Sequence, residues 1–174
     1  MRGRGRDLAS SSRNGVLAVG GVLLLDRLRL TERKPRAVAA VLDEAAHLAT
    51  GLVVLGALKR RSLEFTGGVL AGSVLLDIDH VPDIFGFYLL RAGGMRPRTH
   101  SIATLLAIAC VPRLDGVLVG ATAHLARDLA TGTNAVPLMW PFWKRPYEIR
   151  YRWYAAALST LVGLATVRSP ISQP

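Results

Sequence analysis

Apolar residues in this chain come in blocks rather than in alternation. The blocks run from Gly15 to Leu25, Ala37 to Leu58, Thr66 to Leu76, Ile84 to Leu90, Ile102 to Val111, Gly116 to Ala130 and Tyr154 to Val167. Alanine, leucine and glycine dominate them, so the pattern predicts helices throughout and an all-α fold. Only Ala37–Leu58 has the length, roughly 20 residues, that crosses a bilayer unaided. It is interrupted by Asp43, Glu44 and His47. The shorter blocks fit buried core helices, half-crossings or tilted, packed segments alike. Most of these helices are apolar around much of their circumference, which leaves few faces for water. The expected architecture is a multi-helix integral membrane bundle of short or broken helices around a polar site.

Residues 1–14 read as a basic tail, 15–168 as a single helical domain and 169–174 as a C-terminal tail. The opening MRGRGRDLASSSRNG followed by an apolar stretch resembles a signal peptide, but no small-x-small site ends the stretch. It runs into Asp26, Arg27 and Arg29, as an uncleaved anchor or interfacial helix would. Arginines flank this block on both sides, which disfavours a clean crossing there. A spanning Ala37–Leu58 then puts Lys59-Arg60-Arg61 on the opposite side.

Composition narrows the classes. With 174 residues, one domain is the natural unit. The single cysteine excludes an intramolecular disulfide framework and a cysteine-based zinc finger, and Cys110, between Ala109 and Val111, reads as a buried small apolar residue. The formal charge is +10, and all but Lys34, Lys59 and Lys144 of the 22 basic residues are arginine. An apolar body with a basic rim suits an anionic membrane surface. Leu138–Tyr154 holds Trp140, Phe142, Trp143, Tyr147, Tyr151, Trp153 and Tyr154, interleaved with Lys144, Arg145, Arg150 and Arg152. That is the composition of a membrane–water interface. A nucleic-acid surface with stacking aromatics is the rival reading, and nucleic acid is not the expected partner.

Each of the four histidines lies close to a carboxylate or a hydroxyl. Asp43 and His47 are four apart, as are His124 and Asp128, so each pair shares a helix face. Asp77, Asp79 and His80 form DxDH at the end of an apolar block, and Pro82 predicts a helix break at Val81. In an extended or turning backbone Asp77 and Asp79 point the same way. Carboxylates in apolar segments are costly unless paired or metal-bound. A divalent cation would compensate several at once; imidazole and carboxylate donors suit zinc first, with manganese or iron as alternatives. Arg127 sits beside Asp128 but points about 100° away on a helix. Asp83 and Asp115 read as helix N-caps, and Gly67-Gly68, Gly93-Gly94 and Gly132 as turn or close-packing positions.

The order of these motifs resembles the YdjM-like family of membrane-bound metal-dependent hydrolases, from about His47 to Trp143. The matching elements are His47 in a small-residue helix, Leu76-Asp77-Ile78-Asp79-His80, Met95-Arg96-Pro97-Arg98-Thr99-His100-Ser101, Ala123-His124-Leu125-Ala126-Arg127-Asp128, and Thr131 followed by Ala135-Val136-Pro137-Leu138-Met139-Trp140-Pro141. Met95 stands where the family has a histidine, and Leu76 where it has a proline.

The resemblance implies a metal-dependent hydrolase of the cytoplasmic membrane. His47, Asp77, Asp79, His80, His100, His124 and Asp128 are then the expected metal ligands. Asp79 or Asp128 is the candidate base. Arg96 and Arg98 are candidates for holding an anionic, phosphate-containing substrate, with Thr99 and Ser101 as supporting donors. A phosphoester is the expected substrate class, lipid-linked if the site opens near the bilayer. The alternative is a non-enzymatic membrane protein whose polar cluster is structural glue or a partner site.

Overall fold

The computed structural model describes residues 3–30, 35–58, 62–80, 96–132 and 135–167. Six α-helices are found among them: α1 (Gly3–Leu30), α2 (Arg36–Leu58), α3 (Leu63–Leu75), α4 (Ile102–Ala109), α5 (Asp115–Thr131) and α6 (Tyr151–Val167). No strand occurs among the described residues; one isolated bridge joins Val136 and Tyr147. The all-helical expectation is met. The Ile84–Leu90 block, Asp83, Gly93-Gly94, Met95 and the 169–174 tail lie outside the described residues.

Three boundaries differ from the sequence pattern. Helix α1 starts at Gly3, so the helix runs through most of the expected basic tail. No proline interrupts residues 3–30, and once Val19 and Val22 are packed each added turn needs no new nucleus. At its C-terminal end α3 tightens into a 3-10 segment, Leu76–His80, so of the extended and turning backbones expected there it is the turning one that is found. Asp115 is the first helical residue of α5, with Leu114 in the cap position and no side-chain cap bond. It lies in the first turn, where negative charge is favourable.

Helix α2 is central and packs against α1, α3, α5 and α6. The closest packing is between α3 and α5, and glycine permits it. A Cβ on Gly72 would meet the Val117 carbonyl oxygen at 2.2 Å, and one on Gly120 would meet the Val69 carbonyl at 2.1 Å. Gly68 and Gly116 face the same seam. Two interlocking G-x-x-x-G steps therefore bring the backbones together, as in helix pairs packed inside membranes. Gly51 gives α2 the same access to Ser73 of α3.

The described interior is rich in polar groups, and many large apolar side chains are exposed. On α2 the inward positions include His47 and Thr50, while Val38, Val41, Leu48 and Leu52 are exposed. The apolar α4 buries no residue at all. Buried polar groups include Asp26, His47, Thr50, Ser73, Arg96, His100, His124, Arg127 and Asp128. A small apolar cluster of Val19, Val22, Val53, Tyr154 and Leu158 ties α1, α2 and α6 together. Cys110 departs from expectation: it is exposed at the C-cap of α4, a helix that packs against α5 but buries none of its residues fully.

A candidate metal centre

Four separate pieces of chain converge on one buried point. Helix α5 brings His124 and Asp128, one turn apart, with His124 Nε2 3.1 Å from Asp128 Oδ2. Helix α2 brings His47, whose Nε2 is 3.3 Å from Asp128 Oδ1 and 3.5 Å from Asp77 Oδ2. The 3-10 segment after α3 brings Asp77, Asp79 and His80. Residues three apart eclipse in that geometry, so His80 Nε2 stands 3.3 Å from Asp77 Oδ1. The stretch before α4 brings Arg96, Thr99 and His100.

His100 knits the pieces together. Its Nε2 lies 3.1 Å from Asp128 Oδ2, 3.4 Å from Asp77 Oδ1 and 3.3 Å from His124 Nε2. Its Nδ1 lies 3.3 Å from Asp79 Oδ2. Thr99 Oγ1 donates to the same Asp79 oxygen. His124 and His47 stack, with ring centroids 3.7 Å apart and planes 8° from parallel. All seven residues expected as ligands are thus brought together, and all but the half-exposed His80 are buried or nearly so.

The donor set fits a divalent cation. Ligand atoms of Asp77, His100, His124 and Asp128 lie within 4.8 Å of one another; so do those of Asp79, His80 and His100, and those of Asp43, His47 and Asp77. His124 Nδ1 is 2.8 Å from the Ser73 carbonyl, to which it donates. That bond leaves Nε2 as the lone-pair nitrogen turned toward the cluster, the arrangement by which proteins orient a metal-binding imidazole. His47 Nδ1 is buried without a hydrogen-bond partner, while His47 Nε2, both oxygens of Asp128 and Asp79 Oδ1 are buried and meet only ionisable neighbours, at 2.8–3.9 Å. A buried polar atom left unsatisfied costs about 1–3 kcal/mol. A cation among them would satisfy several together.

Without a cation the cluster shares protons. Burial works against the charge on His100, but its bonds to Asp128, Asp77 and Asp79 push it up to about 10. Burial raises Asp77, and the hydrogen bonds from His100 and His80 more than reverse this, holding it well below the usual carboxylate range. The bond to Asp77 raises His80 against the effect of its own burial.

The remaining expected residues are placed unequally. Arg96 is buried, with Nη1 2.8 Å from Asp128 Oδ2 and 3.5 Å from Asp77 Oδ1, and its Nε has no partner. It is a cation inside the cluster, bound to the candidate ligands themselves. Arg98 is exposed and lies over the Trp140 ring at 5.7 Å. Ser101 occupies the N-cap position of α4, 3.5 Å from the Thr104 hydroxyl, and has no bond to a candidate ligand.

Sequence reasoning did not anticipate the second polar hub beside the cluster. Fully buried Arg127 donates from Nε at 3.0 Å and from Nη2 at 2.6 Å to Asp26, and from Nη1 at 2.6 Å to Asp43. Tyr151 donates to Asp26 at 3.0 Å, and Arg29 pairs with Asp43 at 2.9 Å. Four helices, α1, α2, α5 and α6, meet in this hub. Its one signal in the sequence is the 100° offset of Arg127 from Asp128, which requires a different partner for Arg127. Asp43 Oδ1 remains 3.9 Å from His47 Nε2, so hub and cluster touch.

Comparisons with protein-family models, with curated proteins and with solved structures find no match to this chain.

Proposed function

We propose that the protein is a membrane-bound, metal-dependent hydrolase acting on a phosphoester. The observation that carries this reading is the convergence of Asp77, His100, His124 and Asp128 on one buried point, with donor atoms left unsatisfied around it. His124, His100, Asp77 and Asp128 would hold one divalent cation, with His47, Asp79 and His80 completing or extending the set. Zinc is the first candidate, since the donors are imidazole and carboxylate. A cation there supplies Lewis-acid polarisation of a phosphoryl oxygen and lowers the pKa of water.

The chain's own residues supply the rest. Asp79 is steered by Thr99, and its Oδ1 accepts no hydrogen bond and faces His80 at 3.9 Å, so it would take a proton from an attacking water. Arg96 offers a guanidinium with a free Nε, the planar donor that phosphate binding favours. Resemblance to the YdjM-like family supports the same reading. Support for a membrane location comes from α2, the one described helix long and apolar enough to cross, only 28% of whose most apolar window is buried. The exposed apolar faces and the glycine seam between α3 and α5 agree with it.

The test is elemental analysis and phosphodiesterase and phosphatase assays on detergent-extracted protein. His124→Ala is expected to lose the metal and the hydrolysis together. A variant that keeps full metal and full activity removes the proposal. One observation favours a second reading: Arg96 already neutralises Asp128 and Asp77 from within, as a purely structural polar cluster requires. Substoichiometric metal in the purified wild-type protein would select that reading.

A further inference from the structure

The segment between α5 and α6 supplies no candidate ligand, yet it is rich in exposed aromatic and basic side chains. It is pinned at both ends. Val136 and Tyr147 exchange backbone hydrogen bonds of 3.2 and 2.9 Å, and Ile149 N–H donates to the Leu129 carbonyl at 2.7 Å. Between these clamps the chain protrudes. Phe142 is 82% exposed, Trp143 51% and, just beyond, Trp153 61%; Met139 and Ile149 are exposed as well. Lys144, Arg145, Arg150 and Arg152 stand exposed among them, against a single acid, Glu148. Arg145 lies 5.5 Å over the Trp143 ring and Arg152 5.3 Å over the Trp153 ring.

Water is a poor medium for such a surface, since a protruding phenylalanine and two open indoles gain nothing there. Pure hydrocarbon is no better, because four cations would be stranded. The boundary between the two satisfies both: rings enter the acyl region, and cations capped on them meet anionic phosphates. A single-strand nucleic-acid platform needs a basic groove lined with open ring faces. Here Met139, Phe142 and Ile149 stand exposed and offer no side-chain hydrogen bond, and all three indoles already carry an arginine on one face.

We propose that Met139–Trp153 is a ledge that seats the protein in the headgroup layer of an anionic phospholipid bilayer. The ledge adjoins the cluster. Arg96 N–H donates to the Ala135 carbonyl at 3.0 Å and Ile102 N–H to the Leu138 carbonyl at 2.8 Å, so the Thr99–His100 stretch is tied to the root of the ledge. Arg98, stacked on Trp140 in the same stretch, is the cation placed between headgroups and cluster. The proposal rests on the membrane-bound part of the reading above and is independent of hydrolysis.

The sequence contains three tryptophans, Trp140, Trp143 and Trp153, all in or at this ledge, so intrinsic fluorescence reports on it alone. The experiment reconstitutes the full chain into phosphatidylcholine vesicles with and without phosphatidylglycerol, using lipids brominated near the headgroup or near the chain end. The expected result is blue-shifted emission, quenched most by bromines near the headgroup. Brominated phosphatidylglycerol should quench more than brominated phosphatidylcholine at equal mole fraction. Each arginine at an anionic surface is worth roughly fivefold in local lipid preference. The triple variant Arg145→Gln, Arg150→Gln, Arg152→Gln should therefore lose the lipid preference and keep its helical circular dichroism. If the protein floats with vesicles but its tryptophans emit as in water and are not quenched, the ledge proposal falls and the membrane reading stands. If the protein does not float with either lipid, both fall. Quenching by a single-stranded oligonucleotide, relieved steeply by salt, would overturn the ledge in favour of a nucleic-acid surface.

Discussion

At the residue scale the central fact is that His100 faces three carboxylates with its two ring nitrogens. Protonated, it is a donor to all of them, which is why it is pushed up to about 10 despite burial. As a metal ligand it must be neutral, so metal and proton compete for it. Apparent metal affinity should accordingly rise with pH, by about tenfold per unit while His100 is the main proton held. Isothermal titrations with zinc in buffers of different ionisation enthalpy would measure this, and release of no protons at neutral pH would refute it. Stability of chelator-treated protein should follow the opposite sense at high pH. The contribution of charged His100 is complete below its ordinary value of 6.5 and fades as pH rises toward about 10. Asp77 is shifted downward, so its contribution is complete above the ordinary 3.8 and is lost in acid.

Arg127 illustrates a different residue-scale rule. It is fully buried against Asp26 and Asp43. Removing it leaves Asp26 only the Tyr151 hydroxyl and Asp43 only Arg29, and breaking a buried ion pair from one side costs about 3–5 kcal/mol. Arg127→Ala should therefore unfold at much lower temperature in detergent than the wild type. Arg127→Ala combined with Asp26→Asn and Asp43→Asn should recover part of the loss. Equal melting of the wild type and the single variant would show that the hub contributes nothing.

At the element scale, α3 and α5 depend on the absence of side chains. Gly72 and Gly120 each place a would-be Cβ within 2.2 Å of a backbone carbonyl on the facing helix. Gly72→Ala or Gly120→Ala must push the helices apart, and overpacking of this kind costs about 1–3 kcal/mol or more. Because α3 leads into Asp77 and α5 carries His124 and Asp128, metal content should fall with stability. Gly67→Ala is the control: nothing lies within 4 Å of that position, and replacing a mid-helix glycine gains about 0.5–1 kcal/mol. Thermal melts and metal analysis of the three variants, side by side, decide the matter. The 3-10 segment is the other element with consequences. Its three-residue repeat sets His80 directly over Asp77, whereas α-helical continuation of α3 would offset the two by about 60°.

At the scale of the whole molecule the ligands come from helices far apart in the chain, so a bound cation is a cross-link. A metal present at a hundredfold over its dissociation constant stabilises by about 2.7 kcal/mol. Chelation should then lower the melting temperature by roughly 5–11 °C for a chain of this size. Differential scanning fluorimetry with and without chelator tests this, and no shift would argue for the metal-free structural reading.

Much of this was written into the chain. Block-like hydrophobicity specified helices, because a continuous apolar run without alternation leaves the helix as the structure that satisfies its own backbone. The four-residue spacings of Asp43–His47 and His124–Asp128 specified shared faces, because helical periodicity is local. The cost of carboxylates in apolar segments marked the same acids that the structure gathers. What lay beyond the sequence was every relation between elements: that Arg96 enters the cluster while Arg98 stacks outside it, that Ser101 stands at the start of a helix away from the candidate ligands, that Asp26 meets Arg127, and that Cys110 is exposed. These depend on which helix faces which. That is settled by packing between positions a hundred residues or more apart, such as Asp26 with Arg127 and with Tyr151, and no short window along the chain contains both partners.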